Sequence, residues 1–442
     1  MKVLKLALIG TAALAAASVT ARADSLSDLK AQIEALNGRI SQLEAAPAVP
    51  AGYQLMSVSK ADAIVVPSLD VDPSFKQTNV TTVGILPTAD VPASTKIQWS
   101  GYARAALIYN NTKDVNQWNT LPVPAALPTD SHNHGAKGIH VAARGQLKVV
   151  GTTDTAVGEV GAQLQLRGNF TGQGNAAMVM NEAWGWWKMT PELTLGGGFT
   201  GTLANIGYGY DGACNCYYTD NAPVALNPGD TTQMRLSYAS GPMSFAIALE
   251  DANNNAKSDL GIAGELKYSG DSYSGEISGG WWNGGNTALS GPGTGNKSYY
   301  QIGVGAGFNL GDIAKLSLAA GMGRAGGVDK PGSDNTFTQG KYWKASALAS
   351  ANLSDSVHAE VAYGYSHWKG YHNSHNTDFT NIGGNTHAVL AGIYYDPVSQ
   401  LTIGLEGEWF RTKFDGVNVA GTKSFHGPVK STQVDLVTVF RV

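Results

Sequence analysis

An alternation of apolar and polar side chains repeats along this chain over residues 96–442, and it restricts the fold more than any other feature. Residues 431–442 are an example: the even-numbered positions are mostly apolar, whereas the odd-numbered positions include Gln433, Asp435 and Arg441. Successive side chains of a β-strand point to opposite faces, so a period of two predicts strands. A sheet with lipid on one face and water on the other has this pattern.

Connections between the predicted strands alternate in length. About sixteen segments reach the roughly 9–11 residues that a membrane-spanning β-strand needs. Short turns such as Ser240-Gly241 and Gly311-Asp312 alternate with long polar loops, an asymmetry typical of outer-membrane barrels. The chain has no apolar run of roughly 20 residues, so it can span a membrane only as a closed barrel, which pairs every backbone polar group. We therefore predict an all-β fold, a transmembrane antiparallel β-barrel of about sixteen strands over residues 96–442.

Shorter segments precede the predicted barrel. Residues 1–23 indicate a secretory signal peptide, with a basic start, an apolar stretch and the Ala21-Arg22-Ala23 cleavage pattern. Residues 47–95 are rich in proline, alanine and valine. They predict a linker without central strands, because proline cannot donate a hydrogen bond to a strand ladder.

Residues 24–46 carry a heptad pattern that predicts an α-helical coiled coil. Its a and d positions are apolar: Leu26, Leu29, Ile33, Leu36, Ile40 and Leu43. Three heptads are marginally stable alone, so the helix needs a partner. Two arrangements remain open, a short parallel coiled coil between protomers and a single amphipathic helix lying on another surface. We expect the helix in the periplasm, where peptidoglycan is a candidate partner.

Composition limits the classes of function. Only 14% of the residues are charged, which is low for a soluble protein. The formal net charge of −4 argues against nucleic acid as a partner. The sequence has no Gly-x-Ser-x-Gly, no His-Glu-x-x-His and no phosphate-binding loop. We therefore expect no enzyme activity, no cofactor and no bound metal.

Side chains that face the interior of the predicted barrel are the candidates for function. The alternation directs a group of mostly basic residues inward from the first three strands: Arg104, His140, Arg144, Lys148 and Arg167. Later strands direct a mostly acidic group of residues inward, among them Glu265, Lys267, Glu276, Glu406 and Glu408. Opposed charges across a narrow aqueous pore create a transverse field that orients dipolar solutes and sorts ions.

The third long loop, residues 201–230, contains aspartates, tyrosines and both cysteines of the chain. A disulfide between Cys214 and Cys216 is the expected state in an oxidising periplasm. Free thiols, a metal ligand pair and intermolecular pairing are the alternatives.

Five short motifs follow one another along the predicted barrel: Trp99-Ser-Gly-Tyr-Ala-Arg104, Ala143-Arg144-Gly-Gln-Leu-Lys148, Asn181-Glu-Ala-Trp184, Gly198-Phe-Thr-Gly-Thr202 and Leu249-Glu-Asp251. In this order and spacing, they resemble the general diffusion porins of alphaproteobacteria. The resemblance implies a homotrimer of barrels in the bacterial outer membrane. It also implies that loop 201–230 folds into each barrel as an eyelet.

The same resemblance implies which residues form the pore constriction. The basic side of the constriction is implied to be Arg104, Arg144, Lys148 and Arg167, and the loop is implied to contribute Asp211, Asp220, Tyr208 and Tyr210. Three features depart from the family pattern. The chain ends in Val442 rather than in an aromatic residue, and loop 201–230 is less acidic than an eyelet usually is. The helix at 24–46 is additional, and it is similar to the periplasmic coiled coils of some substrate-specific anion porins.

Taken together, these features predict an outer-membrane porin for passive diffusion of small hydrophilic solutes and ions. Outer-membrane lipid and lipopolysaccharide are the expected surroundings of the barrel. Two alternatives remain, a substrate-specific porin for an anion or a sugar, and a structural tether between the outer membrane and the cell wall. The preferred solutes and the sign of the ion selectivity stay open.

Overall fold

The computed structural model is described here for a large part of the chain. The described residues are 55–85, 95–113, 137–171, 178–206, 216–219, 226, 229–251, 260–282, 299–325, 337–338, 340–373, 379–418 and 424–442. The predicted signal peptide at 1–23 and the predicted coiled-coil segment at 24–46 lie outside them. Within the described ranges, no helix has the length and apolar character needed to cross a membrane.

The described residues form nineteen β-strands in one sheet. The strands are β1 Met56–Ala61, β2 Val80–Ile85, β3 Thr95–Lys113, β4 Gly138–Thr155, β5 Gly158–Thr171, β6 Val179–Lys188, β7 Leu193–Gly201, β8 Asp230–Ser240, β9 Met243–Asp251, β10 Gly261–Ser269, β11 Tyr273–Trp282, β12 Tyr299–Leu310, β13 Ala314–Ala325, β14 Phe337–Thr338, β15 Gly340–Ser354, β16 Val357–Asn373, β17 Phe379–Val398, β18 Leu401–Asn418 and β19 Ser424–Arg441.

Sixteen of the strands close into an antiparallel barrel. Each strand from β3 to β13 pairs with the next, β13 pairs with β15, and the series continues to β19. Strand β19 then pairs with β3, from Lys430 opposite Lys113 to Arg441 opposite Tyr102. Closure leaves no unpaired edge, which is the condition for a sheet in lipid. The predicted all-β barrel of about sixteen strands is therefore confirmed.

The two faces of the barrel differ as the alternation requires. Outward-facing side chains are apolar and exposed, for example Leu436 at 51% and Phe440 at 54%. The alternate positions are mostly buried and carry polar groups such as Gln233 and Asp435. Apolar inward residues also occur, among them Trp184, because chain segments inside the barrel pack against them.

The short turns that the structure describes gather at one end of the barrel. Gly241 supplies the left-handed residue that the two-residue turn between β8 and β9 needs, with φ of 55°. Gly311 adopts a similar conformation, with φ of 66°, in the three-residue turn between β12 and β13. Strands β17 and β19 begin earlier than the alternation predicts, at Phe379 and Ser424. Backbone pairing continues there although the apolar alternation has stopped.

Residues 47–95 differ from the expected linker. Strands β1 and β2 form an antiparallel hairpin, and β2 pairs with β3 from Thr81 opposite Trp99 to Ile85 opposite Thr95. Prolines do not prevent this pairing, because β1 and β2 contain none and Pro67 lies between them. Residues 56–85 belong to the same compact unit as the barrel.

Candidate pore constriction

The first part of loop 201–230 is fixed to the inner wall by a buried carboxylate on β9. Glu250 is 0% exposed. Its carboxylate accepts hydrogen bonds from Thr202 Oγ1 at 2.7 Å, Leu203 N at 3.0 Å and Trp282 Nε1 at 2.9 Å. A carboxylate satisfied by several donors is a strong attachment, because charge-assisted hydrogen bonds are roughly twice as strong as neutral ones.

Two apolar side chains of the loop fit against glycines of the wall. Ile206 and Leu226 are buried, and the Ile206 backbone N–H donates to the Leu226 carbonyl at 3.1 Å. They pack on Gly303 of β12 and Gly321 of β13, which are directly paired. A Cβ atom at Gly303 would lie 2.7 Å from Ile206 Cγ1, so only glycine allows this approach.

Residues 216–219 of the same loop lie against another part of the wall, at β18. The carboxylate of Glu406 accepts three backbone N–H groups, from Tyr217 at 2.6 Å, Tyr218 at 2.9 Å and Thr219 at 3.2 Å. Its fourth donor is the Tyr394 hydroxyl at 3.0 Å. Strands β9 and β18 lie opposite each other in the ring of strands. The loop is therefore attached at opposite sides of the interior.

The Tyr218 side chain connects the loop to the basic residues of the wall. Its hydroxyl donates to the carbonyl oxygens of Arg104 and Ala142, at 3.2 and 3.3 Å. The Arg104 guanidinium carbon lies 4.9 Å from the centre of the Tyr218 ring, a cation–π distance. Burial raises the pKa of Tyr218 to about 12. The hydroxyl therefore stays protonated, and remains a donor, at neutral pH.

Three arginines lie together on β3, β4 and β5. Arg104 and Arg144 are directly opposite in the register, and Arg144 Nε donates to Asn169 Oδ1 at 2.6 Å. Arg167 lies two residues before Asn169 on β5. Like charges on directly opposed residues destabilise a sheet, so the stability of the sheet does not account for this pair.

Lys148 lies apart from these arginines, nearer the short-turn end. Its Nζ atom is 4.4 Å from the centre of the Phe75 ring. Phe75 belongs to residues 62–79, which we call the inner segment because it lies inside the barrel between β1 and β2. The basic residues assigned to one constriction therefore contact different parts of the chain. Arg104 contacts loop 201–230, whereas Lys148 contacts the inner segment.

Only some of the remaining predicted site residues are among those described. Outside the described residues lie Tyr208, Tyr210, Asp211, Asp220 and Cys214. Cys216 is disulfide-bonded, and the pairing with Cys214 stays a prediction. The coiled-coil seam also stays a prediction.

Sequence reasoning missed the anchoring residues. Glu406 was predicted to face inward, but nothing in the sequence links it to Tyr217, 189 residues away. Glu250 is part of the Leu249-Glu-Asp251 motif, yet the motif gives no indication that it holds a loop. The inner segment was interpreted as linker, although its Ile64-Val65-Val66 run and Phe75 are apolar signals for burial.

Comparison with known proteins identifies the type of fold. No family model and no curated protein sequence matches the chain. An anion-selective porin from Comamonas acidovorans has a similar structure, with a TM-score of 0.50 and 12% identity over 79% of this chain and 100% of that one. The trimer form of OmpT, an outer membrane protein of Vibrio cholerae, gives 0.49 and 12% over 79% and 99%. A mutant Rh. blastica porin gives 0.42 and 15% over 78% and 100%. The Comamonas comparison shows that the chain has a bacterial porin fold.

Proposed function

We propose that this protein is an outer-membrane porin, a channel for passive diffusion of small hydrophilic solutes and ions. The observation that carries the proposal is the attachment of loop 201–230 to opposite walls of a closed barrel, at Glu250 and at Glu406. A loop held across the interior reduces the cross-section and sets a size limit. A barrel of about sixteen strands is wide enough to leave an aqueous channel.

Further parts of the proposal rest on the sequence. The five motifs support membership of the alphaproteobacterial general porins. They also support a homotrimer with outer-membrane lipid and lipopolysaccharide around it. The heptads at 24–46 support a periplasmic helix that contacts peptidoglycan or its counterparts in the trimer.

A second candidate is a porin that prefers anions. It is favoured by the arginines at positions 104, 144 and 167, which occupy consecutive strands. Fixed positive charge at a narrow point raises the local concentration of anions. Block of the current by one anion at low concentration would favour this candidate over general diffusion.

The test is single-channel conductance in a planar bilayer, measured for the full chain and for a variant that lacks residues 212–222. We expect a linear, non-saturating current from the full chain. The shortened loop should give a larger conductance and admit larger neutral solutes, because it no longer crosses the interior.

The control shortens another long loop, residues 283–298, and should leave the conductance of the pore unchanged. Unchanged conductance and an unchanged size limit after removal of 212–222 would contradict the eyelet. Absence of current from every variant would contradict the channel and leave a structural tether.

Ion selectivity provides a separate prediction. Arg144→Ala with Lys148→Ala should shift the reversal potential in a salt gradient toward cations. Charges beyond about 8–10 Å are screened at physiological salt, so only groups near the narrow part of the pore count. Lys60→Ala, at an exposed position on β1, is the control. The same reversal potential in the double variant and the wild type would mean that neither residue faces the permeation path.

A further inference from the structure

The inner segment begins and ends at the tip of the β1–β2 hairpin. Ala61 of β1 is directly paired with Val80 of β2. Just beyond this pair, the Ala63 backbone N–H donates to the Gln77 carbonyl at 2.8 Å, so the two ends of the segment meet. The Gln98 side chain of β3 accepts a hydrogen bond from Ile64 N at 2.6 Å and donates to the Asp62 carbonyl at 2.8 Å. The segment is therefore a closed loop held at its base by β3.

Apolar contacts hold the segment against one side of the interior. Val66 packs in a buried cluster with Val150, Trp184 and Trp186, all at inward-facing positions of β4 and β6. Phe75 is 1% exposed, and its ring centre lies 5.2 Å from that of Tyr102 in an edge-to-face arrangement. Burial of large apolar side chains is the dominant favourable contribution to folding, so these contacts give the segment a defined position.

Polar contacts extend the attachment to the other side. Arg235 of β8 donates to the Ser68 carbonyl. Lys267 of β10 forms an ion pair with Asp70 at 2.8 Å. Arg441 Nε of β19 donates to the Ser74 carbonyl at 3.0 Å. Because β10 and β19 lie opposite each other in the ring, the segment lies across the interior.

The two chain segments inside the barrel share a wall residue. Arg441 donates to the Tyr217 hydroxyl of loop 201–230 at 2.5 Å as well as to Ser74. Phe75, Tyr102 and Tyr217 also belong to one buried cluster. The inner segment therefore lies next to the loop and on its short-turn side, near the last residues of β19.

A polar gap remains between the inner segment and the barrel wall. Its lining includes the segment's Asp70 and Asp72 and the wall's Lys148, Gln163 and Gln165. Carboxylates and an ammonium group thus face the same gap. Charges within about 8–10 Å of one another are little screened at physiological salt, so these groups would act on an ion that passed through the gap.

We propose that residues 62–79 form a second constriction of the pore, in series with loop 201–230, and that Asp70 and Asp72 opposite Lys148 set its ion preference. The proposal rests on the function proposed above. It extends that function by assigning part of the size limit and of the selectivity to a segment that precedes the barrel. The competing view is that the segment only stabilises the barrel.

The experiment replaces residues 62–79 with Asn-Gly. A two-residue type I′ turn can join directly paired strands, so the β1–β2 hairpin is kept. We expect a roughly twofold increase in single-channel conductance, because the current through a water-filled pore rises with its open cross-section. The reversal potential should also shift toward anions, because the segment carries more carboxylates than amines.

A second variant separates charge from size. Asp70→Asn with Asp72→Asn keeps the apolar packing, and the side-chain amide oxygen introduced at position 70 can still accept a hydrogen bond from Lys267. The variant should therefore shift the reversal potential toward anions with little change in conductance. The matched control is Asp271→Asn with Asp355→Asn, two exposed aspartates in short turns at the same end of the barrel. The control should leave both quantities unchanged.

The outcomes distinguish this inference from the proposed function. If the wild type conducts and the folded Asn-Gly variant has the same conductance and size limit, the second constriction is wrong. If that variant does not fold, the aspartate pair decides, and an unchanged reversal potential overturns the proposal. A silent wild type with a conducting Asn-Gly variant overturns the second constriction, because the segment then closes the pore and does not narrow it. Silence of both overturns the proposed function as well.

Discussion

Replacing Glu406 with alanine is expected to release residues 216–219 from the wall and to make the single-channel current larger and noisier. Each hydrogen bond to a charged acceptor contributes about 1.5–3 kcal/mol, and Glu406 accepts three from the loop backbone. A loss of roughly 3 kcal/mol raises the population of displaced loop positions about a hundredfold. The measurement is conductance and its variance in a planar bilayer.

Glu406→Gln is the matched control for this prediction. It removes the same negative charge but keeps one acceptor oxygen and nearly the same shape. The increase in conductance should therefore be smaller than for alanine. If the two variants behave alike, the carboxylate acts through its charge in the pore and not as an anchor, and the role assigned to Glu406 is wrong.

The barrel could be predicted from the sequence because its determinants are local. A period of two over each strand fixes which side chains face outward. Leu436 and Phe440, for example, are exposed on the outer face as that period predicts. Turn residues such as Gly241 mark where each strand reverses. Pairing between neighbouring strands adds little long-range choice, since each barrel strand pairs with the next barrel strand along the chain and the pair of β19 with β3 closes the ring.

The interior could not be predicted in the same way, because its contacts join distant parts of the chain. The bond between Tyr217 and Glu406 spans 189 residues, and no periodicity connects the two. The ion pair of Asp70 with Lys267 is similarly remote, with 197 residues between its partners. Alternation predicts that Glu406 and Lys267 face inward, but it does not predict the chain segment that each one holds.

The inner segment shows why the composition of residues 47–95 was not enough to predict their structure. Prolines exclude central strands only where they occur, and Pro67 and Pro73 lie in the irregular part between β1 and β2. Val66 and Phe75 do not fit an exposed linker, because burying such side chains is favourable by about 1.5–3 kcal/mol each. An apolar cluster inside a proline-rich stretch was therefore the usable signal, although it does not indicate where the cluster packs.

Gly303→Val is expected to displace the first part of loop 201–230, around Ile206. The added Cβ would lie 2.7 Å from Ile206 Cγ1, and its methyl groups would extend further toward the loop. Overpacking of this kind costs typically 1–3 kcal/mol, and the loop can relieve it only by moving away from the wall. We expect a lower thermal midpoint, a larger conductance and faster cleavage of the loop by added protease.

Gly275→Val tests whether the effect comes from the site or from the loss of a glycine in a strand. Gly275 lies on the outward face of the adjacent strand β11, where an added Cβ has an ordinary contact of 3.6 Å with the Gly305 carbonyl oxygen. This control should keep wild-type conductance and protease resistance. Wild-type behaviour of Gly303→Val would show that Ile206 can repack without moving the loop. The close packing of Ile206 on the paired glycines Gly303 and Gly321 would then not determine the position of the loop.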